Sequence, residues 1–109
     1  MTSQGSPLAR LARAIETRNI LLIETAASEL HQVPLELAVD IALVLAAKEP
    51  DRFPRAATRL LGRVCLEVPG LTIYDAGTVM GLIAALGVGD DAARQALRVA
   101  VLRGHPPSP

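Results

Sequence analysis

The chain has 109 residues, half of them apolar, with one Phe, one Tyr and no Trp, and its eleven basic and eleven acidic side chains balance. A length near the commonest domain size buries roughly 65% of the unfolded surface, enough for one aliphatic-cored domain without metal or disulfide. Zero net charge excludes a global field that draws in nucleic acid or an anionic membrane, and it does little to oppose self-association.

Ser6-Pro7 pairs a capping side chain with a proline in the first helical position, which predicts a helix to about Thr17 with Leu8, Leu11, Ala12 and Ile15 inward. Asn19 caps a second helix expected to reach about His31, burying Leu22, Ile23, Ala26, Ala27 and Leu30. Pro34 starts a third, which ends near Lys48-Glu49 because Pro50 cannot continue it. After a short turn at Asp51-Arg52-Phe53, Pro54 opens a fourth helix that Pro69-Gly70 stops. Thr72 with Asp75 forms a weak capping box for a fifth, ended by Gly87 and Gly89. Asp90 caps a sixth, to Arg103, with Gly104 suited to the left-handed position beyond it. The expectation is an all-α domain over 7–103, with 1–6 and 104–109 as flexible termini.

Two stretches, Leu35 to Ala47 and Ile73 to Ala85, are apolar around most of their circumference, so both are expected to lie surrounded by protein. They align with each other 38 residues apart: Leu35 on Ile73, Ala38 on Ala76, Ile41 on Val79, and 44–47 on 82–85. Each is followed by an amphipathic helix, so the six helices pair as three antiparallel hairpins. In this period the chain resembles the HEAT and armadillo class of helical-hairpin repeats over roughly residues 20 to 103. It also resembles small helical proteins of GC-rich bacteria, which brings no function with it. The resemblance implies a short α-solenoid, while the helix pattern is equally compatible with a compact six-helix bundle. Gly77, Gly81 and Ala85 recur every four residues, and glycine inside a helix costs about 1 kcal/mol relative to alanine. A close helix crossing in the core is the expected compensation; a groove floor is the alternative.

The best-organised polar feature is a row of arginines, Arg55, Arg59 and Arg63, with Arg52 joining if the fourth helix extends backward. Ala57, Leu60, Leu61, Val64 and Val68 fall on the opposite side, so the arginines form an outward ridge. By helical phase Leu66 shares it and is the expected exposed anchor. Arg94 and Arg98 make a shorter row on the sixth helix. Glu24, Glu29, Glu36 and Asp40 form an acidic counterpart, and Asp40 interrupts an otherwise buried pattern, either at a solvent edge or paired with an arginine. Guanidinium rows suit phosphates, carboxylates or internal salt bridges.

Catalytic chemistry finds little to work with. His31 and His105 lack metal-ligand spacing, and GVGDD has neither the strand nor the lysine of a phosphate loop. Cys65 has no Cys or His partner, which favours a reducing compartment, and it is expected as a small core residue. The fifth helix carries no base-reading side chain, and only Phe53 and Tyr74 can stack on bases. The N-terminus lacks a secretory pattern, and no apolar run is long enough for a bilayer. These features predict a cytoplasmic, non-enzymatic protein-protein interaction module without cofactor, metal or membrane contact. Its partner-binding residues are Arg52, Arg55, Arg59, Arg63 and Leu66, and its partner is another protein or itself. The second reading is a non-specific nucleic-acid-binding protein using the same ridge. A small-molecule sensor comes third.

Overall fold

A computed structural model describes residues 6–103. Among them lie six α-helices and no strand: α1 (Pro7–Thr17), α2 (Ile20–Ala27), α3 (Leu35–Lys48), α4 (Phe53–Glu67), α5 (Ile73–Leu86) and α6 (Asp91–Arg103). A single 3₁₀ turn, Pro50–Arg52, links α3 to α4. The helix starts are held by the residues the sequence marks. Ser6 Oγ accepts from the Ala9 amide at 2.9 Å, and Asn19 Oδ1 from the Leu22 amide at 3.3 Å. Thr72 and Asp75 satisfy each other's backbone amides at 3.1 and 3.0 Å, a complete capping box. Asp90 Oδ1 takes the Ala92 and Ala93 amides at 2.9 and 3.3 Å. Each cap gives an otherwise orphan amide a partner, worth about 1 kcal/mol. Gly104 and the C-terminal tail lie outside the described residues.

Packing joins the hairpins into a ring with a cover. α3 packs on α4, α4 on α5, α5 on α6, and α6 returns to α3, whereas α3 and α5 barely touch across the diagonal. Leu35, Val39 and Ala42 of α3 meet Leu60 and Val64 of α4, Val79, Ile83 and Leu86 of α5, and Ala93, Leu97 and Val101 of α6. The α1–α2 hairpin lies on the other side of α3, where Leu11, Ala14, Ile23 and Ala26 enclose Val44. Closure of α6 onto α3 makes this a compact helical bundle. Its 21 Å short dimension is that of two helix diameters. α3 alone contributes to both cores, which is why its sequence is apolar on nearly every side.

Four expectations fail for physical reasons. α2 ends at Ala27, four residues early, so Leu22 stays exposed and Leu30 is half-buried in a turn. Leu8 is also exposed, and Ala14 takes the inward place in α1. Cys65 is exposed, because Leu61, Val64 and Val68 fill the inward arc of α4. The largest correction concerns α5. Only Val79, Ile83 and Leu86 are buried, and Ile73, Tyr74, Gly77, Met80, Gly81 and Ala84 face water. No further helix lies against the outward side of α5, because the α1–α2 hairpin covers α3. A Cβ added at Gly77 or Gly81 would meet no atom within 4 Å, so these glycines mark no close crossing in the core.

Candidate functional site

The arginine ridge forms as α4 is set down on its apolar side, with Leu60 and Val64 buried and Arg55 and Arg59 exposed on the opposite arc. Its four cations do not have one fate. Arg52 donates to Glu49 Oε1 at 2.8 Å and, with its other terminal nitrogen, to Glu24 of α2. Hydrogen bonding to Glu49, then to Glu24, raises the Arg52 pKa above its ordinary value. Arg63 chelates Glu67 one turn on, at 2.7 and 3.2 Å, and this bond holds the Glu67 carboxyl below its ordinary range. Arg55 and Arg59 make no hydrogen bond or ion pair with the described residues. Leu66 is fully out in solvent, one turn past Arg63 and in helical phase with Arg59.

Arg94 and Arg98 depart from the exposed row expected of them. Arg94 reaches Asp91 at 2.7 Å and Asp40 at 3.3 Å. Arg98 binds the other Asp40 oxygen and donates to the Glu36 carbonyl at 3.0 Å. Asp40 therefore pairs with arginines, and these two serve the closure of α6 on α3. The pKa of Arg94 is raised, chiefly by its bond to Asp91, whose own carboxyl is lowered by the same bond.

Beside the ridge, α3 and α4 diverge into a trough that sequence reasoning did not find. Two hollows of about 240 and 440 Å³ share Leu45, Ala56 and Arg59. Ala38, Ile41, Ala42 and Leu45 supply an apolar floor from α3, and Arg59 and Arg63 rise from the α4 side. The larger hollow is rimmed by Asp51, Arg52, Arg55 and Arg59. α2 and the loop after it are tied across the trough at both ends, by Glu24–Arg52 to the 3₁₀ turn before α4 and by Gln32–Glu67 at 3.2 Å to the end of α4. The only sequence signal for this feature is the run of small residues, Ala38, Ala42 and Ala56, which cannot fill the space between helices.

Electrostatically the trough is segmented. Its Asp51 end gathers three carboxylates, Glu24, Glu49 and Asp51, around Arg52. The middle carries the two unpaired guanidiniums of Arg55 and Arg59, and the far end holds the Arg63–Glu67 pair. Unpaired guanidiniums at the centre offer paired donors of the geometry a carboxylate accepts, while the carboxylates at the tip place negative charge there. Among the described residues there is no cluster of three or more His, Cys, Asp or Glu placed to hold a metal ion, and no helix long and apolar enough to cross a membrane. No family model matches the chain, and no curated protein or solved structure does.

Proposed function

We propose that this chain is a non-enzymatic interaction module that docks an acidic segment of another protein on α4 and the adjoining trough. The reading rests on one observation: Arg55 and Arg59, adjacent turns of one ridge, have no carboxylate of their own while every other arginine of α4 and its leading turn has one. Their guanidiniums suit two carboxylates about one helical turn apart, each accepting a paired hydrogen bond. The same segment, as an amphipathic helix, would set aliphatic side chains over Ile41 and Leu45, in the manner of helix-in-groove recognition. Arg52 and Arg63 then act as rim residues fixed by their intramolecular pairs, and Leu66 extends the apolar contact beyond the trough. A protein is favoured over nucleic acid because Glu24, Glu49 and Asp51 would face the phosphates of any duplex laid along the ridge.

The test is the double charge reversal Arg55→Glu/Arg59→Glu. Both side chains are exposed, so the helical circular dichroism spectrum and melting temperature should stay those of the wild type. Immobilised wild-type chain should retain a protein from extract of its native host, and the variant should lose it, with affinity reduced at least tenfold. Retention of the same protein by both columns would reject the ridge. Salt-sensitive retardation of arbitrary duplex DNA by the wild type, with no captured protein, would move the assignment to nucleic acid.

A further inference from the structure

The outward face of α5 is apolar and unpartnered, which is unusual for a helix with so little charge to keep it in water. Ile73, Tyr74, Met80 and, just past the helix end, Val88 are 80, 84, 54 and 85% exposed. At 100° per residue Ile73, Tyr74 and Met80 fall with Gly77, Gly81 and Ala84 within about a third of the circumference. Between residues 73 and 88 the only charged side chain is Asp75, and its carboxylate is occupied with the Thr72 amide at the helix start. The four large side chains present roughly 500 Å² of apolar surface, taking ~150–200 Å² for each when fully exposed. That is the size of the largest apolar patch on a typical monomer, about 300–600 Å², a patch that is often functional.

We propose that this face is a self-association surface on which a second copy of the chain docks, α5 antiparallel to α5 about a two-fold axis. Two such faces buried completely remove at most about 1,000 Å² of side-chain surface from water, the lower limit for a biological contact and short of the roughly 1,200–2,000 Å² of stable complexes. An uncharged face placed on its own copy meets no like charge, so no electrostatic repulsion opposes the isologous contact. The antiparallel register is set by side-chain size. An axis midway between Gly77 and Gly81 brings Gly77 opposite Gly81 of the second copy and the large Tyr74 opposite the small Ala84. Both glycines leave open space where a Cβ would stand, so the second backbone can approach closely. An interface of this size belongs with weak, transient contacts, so association is sought at high protein concentration.

Sedimentation equilibrium from about 10 μM to about 1 mM tests this, in reducing buffer because Cys65 is exposed and would otherwise link copies. The wild-type mass should rise from 11.5 kDa toward twice that value. Gly81→Glu should stay at the monomer mass with a melting temperature equal to or above that of the wild type. In a single chain its side chain meets nothing, and glutamate is the better helix former. Tyr74→Glu provides a second break in the same face, at a position already exposed. Arg55→Glu/Arg59→Glu should dimerise like the wild type, which separates this surface from the proposed partner site. A wild-type chain that remains monomeric at 1 mM overturns the proposal, as does a Gly81→Glu or Tyr74→Glu variant that dimerises as tightly as the wild type.

Discussion

Arginine accounts for ten of the eleven basic residues, and its fork geometry explains how differently neighbours on one helix behave. Arg63 finds its carboxylate at i+4, the spacing at which a helix brings side chains together. Arg55 and Arg59 have alanine, glycine and threonine nearby on the ridge, and no carboxylate within a turn on α4 itself. The Arg63–Glu67 pair leads to a pH prediction. Because the Arg63 bond holds Glu67 below its ordinary value of 4.5, the folded carboxyl binds its proton less readily than the unfolded one. That contribution is complete above the unfolded value and disappears as pH falls through the lowered one. Glu67→Gln should therefore cost about 0.3–0.5 kcal/mol at pH 7, the scale of a solvent-screened pair, and less near pH 3, below the unfolded value. Urea titrations at the two pH values check this, and an equal deficit at both would show that the charge is irrelevant.

Glycines show what an element decides for itself and what its neighbours decide. Gly62 lies inside α4 with nothing within 4 Å of a would-be Cβ, and Gly87 follows α5 with that position 3.0 Å from Phe53 Cε2. Gly62→Ala should raise stability by about 0.5–1 kcal/mol through helix propensity and reduced unfolded-state entropy. Gly87→Ala should lower it, since the new Cβ stands 3.0 Å from the ring of Phe53, which packs against the core, and 3.1 Å from the Ala84 carbonyl oxygen. Thermal denaturation of the two variants should show shifts of opposite sign; a loss in both would mean that α4 needs its glycine for a reason not visible in its contacts. The α5 glycines belong with Gly62, which is why their periodic spacing misleads: a small-residue stripe looks the same whether another backbone or water lies above it.

Closure of the ring is decided at the scale of the whole molecule, and its polar fastening is Asp40. One carboxylate joins Arg94 and Arg98, residues more than fifty positions away, while Arg98 also takes the Glu36 carbonyl. The side chain of Asp40 is mostly buried and its two partners only partly, so the pair sits between a surface ion pair and a desolvated one. Asp40→Asn should cost about 1–2 kcal/mol, more than a surface pair, because two guanidiniums lose their shared acceptor. Chemical denaturation measures it, and a loss below about 0.3 kcal/mol would show the ring to be closed by Ala93, Leu97 and Val101 alone. The flattened bundle that results presents two different surfaces: the segmented α3–α4 trough, and the apolar face of α5.

Much of this architecture is local and was legible in the chain. Ser6, Asn19, Thr72 with Asp75, and Asp90 fix where helices begin, since the orphan amides they satisfy lie within three residues. The proline breaks and the all-α class follow from the same short-range chemistry, as does the outward placement of Arg55, Arg59 and Leu66. What tertiary structure alone decided is which apolar faces find cover. α3 and α5 are both apolar around most of their circumference in sequence, yet α3 is enclosed on both sides and α5 on one, because burial depends on where the α1–α2 hairpin docks. Periodicity records that a face is apolar; only the arrangement of the other helices determines whether protein or water lies against it.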